Sequence, residues 1–240
     1  MFRNFFKKKT IHPPPALGMD FHSHLLPGID DGAQTLDDSL SLVRRLQALG
    51  YTHIVTTPHI HSSLYPNTHE TIRQKCAEVR SALLENDILI PFDAAAEYYL
   101  DEYFATLLDS NEALLCVFDR CVLIEFPFLA PPHQWVECLF KLRLKGYTPI
   151  LAHPERYLYL HRSFEEYERL KDMGCRFQIN LLSLAGYYGN RIRDIAGELL
   201  EYQMAEHICT DLHHEQHAER IQAALQNKHI LHAIQTLQQP

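Results

Sequence analysis

From residue 18 to about residue 215 the chain alternates short apolar runs with amphipathic stretches seven times, and most of the runs lead into residue types that bind metal. The runs cover 18–24, 51–57, 88–97, 121–126, 148–152, 177–180 and 207–210. Helical periodicity fills the gaps at about 67–86, 133–145, 164–173 and 191–204, and again at the C-terminus. The first helix has the clearest punctuation: Thr35 caps it, its apolar stripe is Leu36, Leu40, Val43, Leu46 and Leu49, and Gly50 stops it. Strand–helix alternation repeated in this way predicts an α/β fold, a parallel sheet covered by helices.

His22 and His24 close the first run, His59 follows the second, and Glu97 ends the third. Glu125 lies in the fourth run, His153 follows the fifth, and Asp211 and His213 follow the seventh. Within His22/His24 and Asp211/His213, two-residue spacing puts both side chains on one face of an extended segment, where they can grip one ion. In a sequentially ordered open sheet the first and last strands lie about 29 Å apart, six steps of roughly 4.8 Å, so His22 and His213 could not share a site. Closing the sheet removes the conflict, because a (β/α) barrel points the C-terminal ends of all its strands at one mouth. The expectation is therefore a closed or nearly closed seven-stranded barrel with a metal centre at that mouth. Carboxylates and imidazoles without thiolates suit divalent ions such as Mn, Fe or Zn. Two carboxylates able to bridge ions point to more than one ion, and so to hydrolysis of a phosphate ester.

Composition removes competing classes. Lys plus Arg number 22 against 30 Asp plus Glu, a formal charge of -8, so no global basic field draws the chain to nucleic acid. The six Cys are scattered without a C-x-x-C pair or a C-x5-R phosphate loop, and no secretory h-region stands at the start. Reduced thiols, a cytoplasmic location and a mechanism without a cysteine nucleophile are expected. Residues 1–18 read as a basic, Pro-rich tail ahead of a single domain at 19–240. Phe2, Phe5, Phe6, Arg3 and Lys7–Lys9 have the composition of a weak tether to an anionic membrane surface, and the plainer reading is a solvated terminus.

The segments Met-Asp-Phe-His-Ser-His-Leu-Leu-Pro-Gly-Ile-Asp-Asp-Gly, Thr-Thr-Pro-His, Ala-Glu-Tyr-Tyr-Leu-Asp, Leu-Ile-Glu-Phe, Ala-His-Pro-Glu-Arg and Thr-Asp-Leu-His resemble the PHP (polymerase and histidinol phosphatase) superfamily. More narrowly they resemble the bacterial CpsB-type protein-tyrosine phosphatases of capsule and exopolysaccharide operons. The resemblance implies a distorted (β/α)7 barrel of PHP type and three divalent ions, commonly Mn, with Fe, Zn or Mg as alternatives. It implies one ion on His22, His24, Glu97 and Asp211, a second sharing Glu97 with Glu125 and His153, and a third on Asp31, His59 and His213. Arg156 resembles the family's phosphate-binding arginine, a planar fork for non-bridging oxygens. Asp31, or water held by the ions, is the candidate to protonate the leaving tyrosyl oxygen. The implied substrate is a phosphotyrosine protein, in particular a bacterial tyrosine kinase that controls polysaccharide export.

Aromatic residues after the fourth and sixth runs, Phe126, Phe128, Tyr187 and Tyr188, are expected to rim the mouth and sandwich a phosphotyrosine ring, with ordinary loop packing as the alternative. Arg191 and Arg193 read as helix-surface charges. His61, His214 and His217 stay outside the ligand set, since His214-Glu215-Gln216-His217 departs from the H-E-x-x-H zinc signature. Two rival functions stay open: a small-molecule phosphatase of histidinol-phosphate type, and a non-catalytic regulator that binds phosphotyrosine.

Overall fold

The computed structural model describes residues 16–110 and 112–237. The tail expected at 1–18 therefore lies, up to residue 15, outside the described residues. In chain order the elements are β1 (Gly18–Asp20), α1 (Leu36–Leu49), β2 (Tyr51–Thr56), β3 (His59–Ile60), α2 (His69–Glu85), β4 (Phe92–Ala94), β5 (Glu97–Tyr99) and α3 (Glu102–Asp109). They continue with β6 (Cys121–Glu125), α4 (Trp135–Leu144), β7 (Thr148–Ala152), α5 (Glu165–Asp172), β8 (Arg176–Asn180), α6 (Leu181–Leu184), α7 (Asn190–Glu201), β9 (His207–Cys209), α8 (Glu215–Ala224) and α9 (Lys228–Leu237). Thr35 caps α1 through a reciprocal bond with Asp38, and Gly50 ends it in the left-handed region at φ 106°.

All strand pairs within the sheets are parallel, as the alternation predicts, but they form two sheets rather than one closed ring. The order is β1-β2-β4 in the first and β3-β5-β6-β7-β8-β9 in the second. Of the closed or nearly closed seven-stranded barrel expected, the parallel α/β sheets are present, but no single closed ladder forms among the described residues, and the break has a local cause. The predicted strand 51–57 stands as β2 and ends ahead of Pro58, which has no N–H to donate, and the short β3 begins beyond it. The predicted strand 88–97 splits beside it into β4 and β5 at the fully buried Ala95 and Ala96. Backbone bonds cross the kink from Ala95 N to Thr56 O (2.8 Å) and from Glu97 N to Pro58 O (3.1 Å).

The first and last strands still meet. Residues 22–24 hydrogen-bond toward β2 through Thr57 N to Ser23 O (2.7 Å). On their other side Asp211 N reaches His22 O and His24 N reaches Leu212 O, each at 2.8 Å. β6 is buried at all five positions, as expected of a parallel strand covered on both faces. Helices α3 and α6 and the short β3 were not expected from the sequence.

Candidate metal centre

The nine predicted ligands converge where the strands end. His22 and His24 follow β1 with both rings fully buried, and their centroids lie 5.6 Å apart. His59 and Glu97 open the paired strands β3 and β5, Glu125 ends β6, and His153 follows β7. Asp211 and His213 follow β9, and Asp31 arrives from the loop between β1 and α1. His153 (φ 34°) and Asp211 (φ 50°) hold left-handed backbone, a cost that non-glycine residues bear mainly at functional sites. The loop carrying Asp31 sits so close to His24 that a Cβ on Gly32 would lie 2.1 Å from the His24 carbonyl oxygen.

The donor atoms face one another across a narrow gap. His22 Nε2 is 3.3 Å from Glu97 Oε1 and 3.3 Å from Asp211 Oδ1. His24 Nε2 is 3.5 Å from Glu97 Oε2 and from Asp211 Oδ1. His153 Nε2 is 3.3 Å from Glu97 Oε1 and 3.6 Å from Glu125 Oε1. Asp31 Oδ1 is 3.5 Å from both His59 Nε2 and His213 Nε2. Ligands about 2.1 Å from a shared ion stand roughly 3.0 to 3.5 Å from their neighbours in tetrahedral or octahedral arrangements, so these separations suit ions set between the donors. Satisfaction of polar groups agrees. His22 Nε2, His24 Nε2 and both oxygens of Glu97 are buried without a hydrogen-bond partner, which a native interior rarely tolerates. Among the described residues four overlapping groups could hold an ion: His24/Asp31/His59/His213, His22/His24/Asp211, His22/Glu97/His153 and His59/Glu97/Glu125.

Burial and neighbouring charges shift the cluster's groups in opposite directions. Burial pulls the His22 imidazole down, but Glu97 and Asp211 outweigh it and hold its pKa at about 8. His24 is raised well above its ordinary value, burial being overcome by Asp30, Asp211 and Glu97. Burial and the neighbouring Glu97 charge push Glu125 well up, whereas the facing histidines overcome burial to hold Glu97 well below the ordinary carboxylate range. His59 and His153 are pushed down to about 4, chiefly by burial, leaving neutral rings with a free lone pair.

A supporting layer holds the predicted ligands. His22 Nδ1 meets Gln178 Oε1 at 2.7 Å and His24 Nδ1 meets Asp30 Oδ2 at 2.8 Å, which aims each Nε2 at the cluster. Asn180 Nδ2 donates to Asp211 Oδ2 at 2.7 Å, and Arg156 Nη1 donates to the same oxygen at 3.0 Å. The Arg156 guanidinium lies 4.4 Å from the Tyr188 ring centre and 4.9 Å from that of Phe128. The cluster opens into a cavity of about 420 Å³ whose walls include Arg156, Phe128, Tyr187 and Tyr188.

Phe126 departs from expectation: it is buried against Trp135 and Tyr157 and does not line this cavity. Arg191 donates to His161 O and Arg193 pairs with Asp194, both away from the cavity. Sequence reasoning missed His214 and His217, which line the cavity from the N-terminal end of α8. Their i, i+3 spacing beside His213 was the available signal. It also missed Asp30, Gln178 and Asn180.

Residues 18–231 match the family described as capsular polysaccharide synthesis, CpsB/CapC. The chain is 29% identical to the tyrosine-protein phosphatase YwqE of Bacillus subtilis, over 81% of this chain and 77% of that one. It is also 29% identical to the tyrosine-protein phosphatase CpsB of Streptococcus pneumoniae, over 81% and 82%. Among solved structures, those of YwqE and CpsB, described as unique metal-dependent tyrosine phosphatases, superimpose with a TM-score of 0.80 at 27% identity, covering 91% of this chain and 90% of that one. An amidohydrolase from Mycoplasma synoviae shares the fold alone, with a TM-score of 0.53 at 12% identity over 92% and 82% of the two chains.

Proposed function

The chain belongs to the CpsB/CapC family of capsular polysaccharide synthesis, and from that membership we propose that it is a metal-dependent protein-tyrosine phosphatase. The observation that carries the reading is the buried, partnerless donor set on His22, His24 and Glu97 at the floor of an open cavity walled by an arginine and aromatic rings. The fold is read as a distorted (β/α)7 barrel, supported by the bonds from residues 22–24 to both β2 and the segment after β9. Three divalent ions, most naturally Mn, would be held by His22/His24/Glu97/Asp211, by Glu97/Glu125/His153 and by Asp31/His59/His213. When bound, such ions supply Lewis acidity to phosphoryl oxygens and acidify water toward neutral pH.

The protein's own groups position the ester. Arg156 holds non-bridging oxygens with the part of its fork that Asp211 leaves free, and stacking between Phe128 and Tyr188 fixes the plane of that fork. Phe128, which also stacks on His153 at 5.7 Å, and Tyr187 offer flat apolar walls to a phosphotyrosine ring. Asp31 is about half exposed at the edge of the cavity. Partial burial raises its carboxyl, but His213 outweighs that and holds it well below the ordinary range. Asp31 is therefore ionised at neutral pH, and serves the leaving tyrosyl oxygen by orienting a proton-donating water rather than by storing the proton.

The substrate is read as a bacterial tyrosine kinase of polysaccharide export, and the site of action as the cytoplasm. No helix among the described residues is long and apolar enough to cross a membrane. No role in nucleic-acid binding is assigned, and a contact between the basic tail and a membrane surface is the auxiliary part of the reading.

The test is an initial-rate comparison of a phosphotyrosine peptide, a phosphoserine peptide and histidinol phosphate, with chelator-stripped protein and with Mn restored. Mn-dependent turnover confined to the phosphotyrosine peptide supports the reading. Preference for histidinol phosphate moves the chain to small-molecule chemistry, and no turnover despite bound metal makes it a regulator.

A further inference from the structure

A second cavity, of about 360 Å³, is lined by Phe126, two residues from the Phe128 that lines the cavity of the metal centre. It lies between the start of α4 and one side of the short helix α5, beside the loops that follow the C-terminal ends of β6 and β7. Phe126, Trp135, Leu160 and Leu170 give it an apolar lining, and Arg162 and Arg169 stand at its lip.

The partition between the two cavities is thin. Phe126 lines the second cavity, while Phe128, two residues on, lines the first. Tyr159, a wall of the second cavity, donates its hydroxyl to Pro127 O at 3.0 Å. The Tyr157 ring lies 5.7 Å from His153 and 5.7 Å from Tyr159, so Tyr159 stands within about 11 Å of a predicted ligand, the span of roughly three extended residues. The two loops that form this ridge leave Leu129 97% and Leu158 60% exposed. The lip carries a net positive charge: Arg169 lies 4.8 Å over the Trp135 ring and pairs with Glu166, the one carboxylate of the lining, at 3.9 Å, which leaves Arg162, without a side-chain partner among the described residues, as the uncompensated cation.

We propose that this cavity is a subsite for the polypeptide flanking the phosphotyrosine. It holds a large apolar side chain about two to four residues from the phosphorylated position, next to an acidic residue that meets Arg162. The inference rests on the phosphatase reading of the metal centre and deepens it. The substrate chain crosses the ridge, covers Leu129 and Leu158 and fills both cavities, which a small phosphate ester is too short to do.

Trp135 is the only tryptophan of the 240 residues, so intrinsic tryptophan fluorescence reports on this cavity directly. The full chain is titrated with phosphotyrosine amide, with a phosphotyrosine peptide in a Gly/Ser background, and with peptides of that background carrying a Leu-Asp pair at successive positions. A saturable fluorescence change is expected only where Leu stands at the reach set above. For that peptide, Trp135→Ala should lower kcat/KM at least about tenfold, the factor that burying one leucine-sized side chain is worth. The exposed-site variant Arg162→Glu should lower it too, and both should leave para-nitrophenyl phosphate turnover unchanged. Equal fluorescence responses with and without Leu, or equal losses on both substrates, would overturn the subsite while leaving the phosphatase reading in place. Failure of the unaltered protein with Mn to hydrolyse any aryl phosphate would overturn both.

Discussion

Replacing Gln178 by Leu tests whether His22 is a metal ligand without touching any proposed ligand. His22 is fully buried, and its Nδ1 has one hydrogen-bond partner, Gln178 Oε1 at 2.7 Å. While that oxygen accepts, the proton sits on Nδ1 and the lone pair on Nε2 points between Glu97 and Asp211. Leucine has nearly the volume of glutamine but no acceptor, so the ring keeps its space and loses its tautomer lock. Leaving the buried N–H unmet costs about 1–3 kcal/mol of stability, and Ile179 O also loses the Gln178 Nε2 donor that sits 2.8 Å away. Removing the outer partner of a ligating histidine typically costs about 10- to 100-fold in metal affinity. The assay is Mn titration against a competing chelator, paired with thermal unfolding in chelator and in excess Mn. Affinity should fall by that factor, and the stability gained on adding Mn should shrink with it. A variant that folds and binds Mn within twofold of the unaltered protein would show that His22 does not act as a ligand through Nε2.

Arg156→Ala should lower kcat/KM on a phosphotyrosine peptide by about 100-fold, the scale of losing a charge-assisted clamp on a phosphoryl group. Metal content by elemental analysis should stay unchanged, because Asn180 still holds Asp211; loss of metal would make the arginine structural. In Gly32→Ala the new Cβ would meet backbone 2.1 Å away and the His24 Cβ 2.4 Å away, so the loop must shift. About 1–3 kcal/mol should be lost in denaturant unfolding, together with weaker Mn binding, and unchanged values would refute the close approach. His207 is pushed down to about 4 by burial, with Arg176 and Lys171 adding to it. Between pH 6.5 and about 4 the unfolded chain therefore takes a proton that the folded chain refuses, and stability falls as pH falls through that window, by up to about 3 kcal/mol. His207→Phe, set between Phe21 and Phe118, should flatten that part of the pH profile, and parallel profiles would remove His207 as its cause.

What the sequence made legible, and what it hid, divides along how many neighbours a residue needs to define its role. The Thr35 cap, the Gly50 stop and the strand 148–152 are set by near neighbours in the chain, and they stand where the pattern puts them. Eight of the nine candidate ligands were legible because a parallel strand of an α/β fold has one functional end, so a polar residue at the end of an apolar run has few other reasons to be there, whereas Asp31, in the loop before α1, came only from the family resemblance. The run 88–97 was misread as one strand because it stays apolar through the bend. Only Ala95 and Ala96, too small to alter the pattern, mark where β4 leaves one sheet and β5 enters the other. Helix α3 had a usable signal, an Asp101 cap ahead of the stripe Phe104, Leu107 and Leu108. The supporting layer had none. Asp30 and Asp31 are adjacent carboxylates in one loop, yet the first turns inward to His24 Nδ1 while the second faces the cavity. Gln178 and Asn180 read as the polar half of an alternating strand, whose inward face is settled only by pairing with β7 and β9. These three side chains turn a set of histidines and carboxylates into aimed donors. Each is defined by a tertiary partner, His24, His22 or Asp211, of which two lie far away in the chain. A sequence can therefore place such a candidate centre at the right end of a sheet, while the orientation that turns the donors toward one another is specified only once the strands are paired.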